Sequence, residues 1–415
     1  MTPLPITETT TAADAVAAVE QWVQSEVPAQ WRAAAAESPA ALRAVRSPDD
    51  YRQWYPTFAR SGLVAPTWLP KHGGLGIGND VARAIETVLT PLRLSRLNPL
   101  GLNNTAAALF SHGNEDQRLR FLPPIVRNEE KWCQLFSEPG AGSDLASLAT
   151  RAVRDGDDWV ISGQKVWTTW ADEADFAILL ARTDPDQPKH KGITYFLLDM
   201  HQPGVEVRPL RQINGEAEFN EVFLDGARVP DGHRVGEVND GWRVSASTLS
   251  SERQMVSGSG SGGMGRLGGS SAGRLITLAQ ETGRWTDPVV RNKVMHLWAQ
   301  EQIRGWTNAR VGAALSAGQS PGAASSIGKV HQATLNQQIQ DLMVDLLGTA
   351  AVAWPKTDDP DGLPREVQGM MRSLANSTEG GTTDINKNIL GERVLGLPRE
   401  PDPWKGKPWK DIPRS

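Results

Sequence analysis

Four segments carry residue types suited to chemistry. Cys133-Gln-Leu-Phe-Ser-Glu-Pro-Gly-Ala-Gly-Ser-Asp144 is rich in glycine and hydroxyls. Its glycines let backbone N–H groups approach a ligand, and its hydroxyls can donate to a polar ligand edge. Taken alone, the same string reads first as a structural turn. Gly163-Gln-Lys-Val-Trp-Thr-Thr169 sets Trp167 and Thr169 two residues apart, on one face of a strand. An indole there can stack on a flat ring while the hydroxyl bonds the ring edge. Asn239-Asp-Gly-Trp242 is followed on the next helix by Ser251-Glu-Arg253. The last segment is Glu379-Gly-Gly-Thr-Thr-Asp-Ile-Asn-Lys-Asn-Ile-Leu-Gly-Glu-Arg-Val-Leu-Gly-Leu-Pro398. Each of these residues, taken singly, is also satisfied by a structural role.

The elements that must position these segments fall in four zones. Residues 1–130 show helical spacing, as in Val16, Val19, Trp22 and Val23. The Gly-rich stretch Leu69 to Gly78 lacks the Lys-Ser/Thr of a phosphate-binding loop and no strand precedes it, so it reads as a connector. Residues 131–236 hold short apolar or alternating runs at Phe176–Ala181, Ile193–Leu198, Val205–Pro209 and Glu218–Leu224, with a hairpin signal around Arg154–Asp158. They predict an antiparallel β domain. Residues 237–398 return to helical spacing in runs long enough for an antiparallel bundle, with a turn at Gly318–Gly322. Residues 399–415, rich in Pro, Lys and Trp, read as an irregular arm. Helices, then strands, then helices is an α+β order that argues against a Rossmann or barrel enzyme.

Composition narrows the function. With 415 residues, 39% of them hydrophobic and 22% charged, the chain has enough apolar content for sizeable cores. A net charge of −5 without a basic block points away from nucleic acid and anionic lipid. A single cysteine, Cys133, excludes a disulfide framework and a Cys-based zinc site, and no metal site is expected. No apolar run of the length needed to span a bilayer is present. The start MTPLPITETTTAAD lacks the basic and apolar regions of a signal peptide, so a cytoplasmic protein is expected.

In order and spacing these segments resemble the acyl-CoA dehydrogenase family, over about residues 12–398 and most closely over 131–256 and 378–398. The resemblance implies an N-terminal helical domain, a middle antiparallel β-barrel and a C-terminal four-helix bundle. It also implies FAD as cofactor, an acyl-CoA thioester as substrate, and electron-transfer flavoprotein as acceptor. The expected assembly is a homo- or hetero-oligomer, a dimer or tetramer, with Trp285, Trp298 and Trp306 supplying apolar surface. The implied reaction is α,β-dehydrogenation: a carboxylate takes the α-proton, the β-hydrogen leaves as hydride to FAD, and donors face the thioester carbonyl. The Gly380 backbone N–H falls at one donor position. Cofactor contacts are implied at Gln134, Phe136, Ser137, Gly142, Ser143, Trp167, Thr169, Gly348, Thr382 and Asp384, and substrate contacts at Ser143, Arg253 and Glu379.

The chain departs from the commonest family pattern at the base. Counting back from the terminal Gly-Leu-Pro puts Gly380 where a carboxylate usually stands, with Glu379 one place early. Some members carry the base immediately before an arginine on the first bundle helix, which here is Glu252 before Arg253. Glu252 is the preferred base, and the alternatives are a chain with no base at all and, behind it, Glu379. Thr282–Thr286 and Gly348–Ala351 depart from the family's contacts to the adenosine half of FAD, as does Asp345. The glycine-rich 257–273 segment is either a widened acyl pocket for a bulky or branched group or a broken helix, since each glycine weakens a helix by roughly 1 kcal/mol relative to alanine. Two rival functions follow. One is a non-catalytic subunit completing the FAD site of a related chain. The other is a flavin monooxygenase or oxidase on the same fold.

Overall fold

The computed structural model describes residues 4–256, 271–317, 322–353 and 362–413. The first helices are α1 (Ala12–Glu26), α2 (Ala29–Glu37), α3 (Pro39–Val45), α4 (Pro48–Arg60), α5 (Asn79–Leu89), α6 (Ala106–His112) and α7 (Glu115–Arg127). Side-chain caps set several starts. Thr11 accepts from the Asp14 N–H, and Ser47 with Asp50 and Asn114 with Gln117 form reciprocal capping boxes. Val19, Trp22, Phe58, Ile85 and Leu89 close one core. The Gly-rich connector serves packing: a Cβ on Gly74 would lie 2.2 Å from the Ala65 carbonyl oxygen.

Eight strands follow: β1 (Trp132–Leu135), β2 (Arg151–Asp155), β3 (Asp158–Thr169), β4 (Phe176–Arg182), β5 (Ile193–Asp199), β6 (Val205–Leu210), β7 (Phe219–Pro230) and β8 (Arg234–Val235). The sheet order is β6-β7-β3-β2-β4-β5-β8, with β1 paired to β4. The β2–β3 hairpin turns at Gly156, whose φ of +64° suits glycine. One expectation is corrected: the sheet is mixed, because β1 runs parallel to β4. No tight turn follows β1. The long 136–150 loop carries the chain away, so β1 need not reverse beside its neighbour.

Alternation along β4 and β5 divides two cores. Ala177, Leu179, Phe196 and Leu198 face one, while Ile178, Leu180, Tyr195 and Leu197 face α6 and α7 in the other. Both strands therefore carry apolar side chains on both faces.

The last helices are α8 (Gly241–Val256), α9 (Ala272–Glu281), α10 (Pro288–Ser316), α11 (Ser326–Leu347), α12 (Arg365–Ser373) and α13 (Thr383–Ile389). Leu275, Val294, Leu335, Ile339 and Met343 form their core. Of the glycine-rich segment 257–273, residues 257–270 lie outside the described residues, as do 318–321 of the turn before α11. The C-terminal arm folds back onto the sheet region. The Trp409 N–H donates to the Gln187 carbonyl at 2.9 Å and its indole Nε1 to the Ser147 carbonyl at 3.3 Å, while Arg182 lies 4.6 Å from its ring.

Candidate functional site

A buried ion pair ties the 136–150 loop to β3. Lys165 is fully buried and its Nζ donates to Glu138 Oε1 at 2.8 Å and to the Phe136 carbonyl at 3.0 Å. Glu138 also accepts from the Ala149 N–H at 2.6 Å and the Thr150 N–H at 2.9 Å. Burial works against the Glu138 carboxylate, but Lys165 and these donors outweigh it and hold the carboxyl below its ordinary range. Burial lowers the Lys165 ammonium as well. Alongside, the Ser137 carbonyl accepts the Val166 N–H at 2.9 Å. The loop carrying Ser137, Gly142 and Ser143 thus lies beside the strand carrying Trp167 and Thr169. Sequence reading missed the Glu138–Lys165 pair. The available signal was a charged residue inside each of two otherwise ligand-like strings.

The end of β3 is irregular where it matters. A bulge between Lys165 and Thr168 breaks its register with β7. Trp167 has φ +61°, a left-handed conformation that is costly for a bulky residue, on the order of 1–3 kcal/mol. Strain of this kind persists where packing imposes it, and here it turns the indole outward: Trp167 is 61% exposed, edge-on to Phe219 at 6.0 Å between centroids. Thr168 is buried against Asn220, and the next residue, Thr169, is half-buried opposite Phe219. The Thr168 Oγ1 has no hydrogen-bond partner among the described residues. An exposed indole face flanked by hydroxyls and a glycine loop is the chemistry a flat, polar-edged ring requires. The remaining β-region candidates sit nearby in sequence: Gln134 accepts from Asn104 Nδ2 at 2.8 Å, Phe136 is buried edge-on to Tyr195, and a Cβ on Gly142 would meet open space. Ser143 is exposed, next to Asp144, which pairs with Lys189 at 2.8 Å.

On the helical side, Arg372 at the end of α12 holds two carboxylates. Its Nε donates to Glu218 at 3.2 Å and its Nη2 to Glu379 at 2.9 Å. The other Glu379 oxygen accepts from Asn376 Nδ2 at 2.7 Å. Burial works against this carboxylate, but Arg372, Asn376 and Lys329 outweigh it, so the Glu379 carboxyl sits below its ordinary range. Ionised and with both oxygens engaged, Glu379 is committed to the chain's own donors. Gly380 and Gly381 follow at φ +62° and +83°, and the Gly380 N–H meets no acceptor among the described residues. Thr382 Oγ1 caps α13 by accepting from the Ile385 N–H at 3.1 Å, and Asp384 is exposed in the first turn. Gly348 ends α11 at φ +57° with open space around it. No hydrogen bond among the described residues joins Gly348, Thr382 or Asp384 to the 136–150 loop or β3.

Glu252 and Arg253 lie on α8, and their side chains fall outside the described residues. The helix itself is fixed one turn earlier. Thr248 is fully buried, 3.1 Å from the Tyr195 hydroxyl, and Ser247 lies 3.1 Å from His112 Nε2.

Comparison with known proteins finds similar chains over most of the length. The family model described as acyl-CoA dehydrogenase, middle domain, matches residues 133–227, and that described as acyl-CoA dehydrogenase, C-terminal domain, matches residues 239–395. The chain is similar to acyl-CoA dehydrogenase FadE34 of Mycobacterium tuberculosis, 39% identical over 354 residues, covering 85% of this chain but 47% of that protein's length. Acyl-CoA dehydrogenase IpdE1 of the same organism is 37% identical over 361 residues, covering 85% of this chain and 89% of that one. Among solved structures, the Tcur3481-Tcur3483 steroid ACAD superposes with a TM-score of 0.72 at 25% identity, over 94% of this chain and 98% of that one. The ChsE4-ChsE5 complex from Mycobacterium tuberculosis gives a TM-score of 0.69 at 28% identity, over 92% and 98%.

Proposed function

The chain belongs to the acyl-CoA dehydrogenase family, and from that premise we propose that it is an FAD-dependent dehydrogenase of acyl-CoA thioesters with Glu252 as its base. FAD, when bound, would accept the β-hydrogen with its electron pair. The chain's own residues do the rest. Trp167 offers the stacking face, and Ser137 and Thr169 donate to the ring edge. The Gly380 N–H donates to the thioester oxygen as charge gathers there, and Glu252 takes the α-proton. The observation that carries this reading is the link between the exposed Trp167–Phe219 pair and the turn at Gly380, whose N–H meets no acceptor among the described residues, made by Glu218, Arg372 and Glu379. Glu252 is preferred to Glu379 because both Glu379 oxygens already accept hydrogen bonds.

The acyl group in this proposal is bulky or ringed. Relatives named steroid ACAD and cyclohexane-1-carbonyl-CoA dehydrogenase support that choice. Electrons would pass to an electron-transfer flavoprotein. Assembly as a homo- or hetero-oligomer would cover the exposed Trp298 and Trp306 of α10. The proposed domains are 1–130, 131–236 and 237–398, with an arm at 399–415. Anaerobic addition of a ring-bearing acyl-CoA to the yellow protein should bleach the flavin faster than a short straight-chain acyl-CoA does. Preference for the short chain would reject the bulky-substrate reading, and no bleaching with either would reject the dehydrogenase.

A further inference from the structure

Arg372 spans two elements that meet the proposed reaction from different sides. Glu218 immediately precedes β7, and its carbonyl accepts the Trp170 N–H at 2.9 Å, which fixes it beside the end of the strand carrying Trp167. Glu379 immediately precedes Gly380. The Arg372 guanidinium is 7% exposed, binds both carboxylates, and lies 5.7 Å from the ring of Phe219, the residue packed against Trp167.

A second buried cation completes the cluster. Lys329 Nζ donates to the Asn376 carbonyl, and Asn376 donates to Glu379. The Lys329 charge also favours the ionised form of Glu379. A planar guanidinium can donate in two directions at once, and an ammonium cannot reproduce that fork.

We propose that Arg372 is a positioning residue: by bridging Glu218 and Glu379 it sets the Gly380 N–H against the Trp167–Phe219 face, so that a carbonyl bound at the amide lies over a ring stacked on the indole. This inference rests on the reading above, in which the Gly380 N–H faces the thioester. Acting through Glu218 and Glu379, Arg372 works by geometry. A misplacement of about 1 Å can cost on the order of a hundredfold in rate.

The test uses the FAD-loaded protein and an aryl-acryloyl-CoA, whose absorbance moves to longer wavelength when its carbonyl is polarised. Arg372→Lys keeps the charge and Arg372→Met removes it; Glu218→Gln weakens only the sheet-side arm and serves if the arginine variants do not fold. In all three, probe affinity should stay within about threefold of the parent, while the wavelength shift shrinks and flavin reduction slows by roughly tenfold to a hundredfold. KM for the acyl-CoA should change little. The parent shift with parent reduction rates in Arg372→Lys, or in Glu218→Gln where the arginine variants fail to fold, would overturn the proposal. Equal loss of affinity and rate with an intact shift would make Arg372 a purely structural residue and overturn it as well. A parent protein that neither bleaches with substrate nor shifts the probe would reject the dehydrogenase reading itself, and this inference with it.

Discussion

Replacing Lys165 by methionine should loosen the cofactor loop at a calculable cost. Lys165 is fully buried and Glu138 is 7% exposed, so the substitution leaves a carboxylate inside the protein without its counter-ion. Breaking a buried pair on one side costs about 3–5 kcal/mol. The Ala149 and Thr150 N–H groups still bind Glu138, which argues for the lower end, while the Phe136 carbonyl also loses its donor, worth about 1 kcal/mol. The expected loss is therefore ~3–4 kcal/mol in the region that holds Ser137, read by denaturant unfolding followed through tryptophan fluorescence, with weakened FAD binding. The double variant Lys165→Met with Glu138→Gln should recover most of this, since replacing both members of a buried pair is often near neutral. The pH dependence follows from the sign of the shift. In the parent the Glu138 carboxyl is depressed, so its contribution is complete above the unfolded value of about 4.3 and is lost as pH falls through the lower folded value. Without Lys165, burial raises that carboxyl instead, so the gap between parent and variant should narrow steadily as pH falls, starting above the ordinary carboxyl value of about 4.3. Unchanged stability and FAD affinity in Lys165→Met at pH 7 would refute the reasoning.

Two further outcomes are expected. Trp167→Ala should leave unfolding within about 0.5 kcal/mol of the parent because the indole is mostly exposed, yet lower FAD affinity and shift the flavin spectrum; an unchanged spectrum would mean that the indole does not face the ring. Trp409→Ala should cost about 3 kcal/mol of local stability at the loop around Gln187, measured as faster limited proteolysis there, and equal proteolysis would show that the arm does not brace it.

What the sequence discloses is what short strings encode. The Gly156 hairpin and the capping residues signal themselves within a few positions, whereas the strand alternation expected to put Trp167 and Thr169 on one face is interrupted by the bulge before Thr168. The parallel placement of β1 does not, because its partner β4 is chosen by packing across a long loop. Glu138 and Lys165 each sit inside a string that looks like ligand chemistry, and only the fold shows that they satisfy each other. Arg372 is equally silent, since its two acids lie far apart in the chain. The left-handed backbone at Trp167 has no local glycine or asparagine to announce it. The arm reads as irregular; it carries one short helical turn at Trp409–Asp411, and its docking through Trp409 depends on loops far upstream.

The central claim is that Glu252 on α8 removes the α-proton while the chain holds FAD against Trp167. The most direct measurement is stopped-flow flavin reduction under anaerobic conditions, comparing the parent, Glu252→Gln and Glu379→Gln with a ring-bearing acyl-CoA. The account predicts that Glu252→Gln keeps its flavin and its ligand affinity but is reduced at least about a hundredfold more slowly, the scale of general-base loss. Glu379→Gln should retain a larger share of the parent rate. Parent-like reduction in Glu252→Gln together with loss in Glu379→Gln would contradict it.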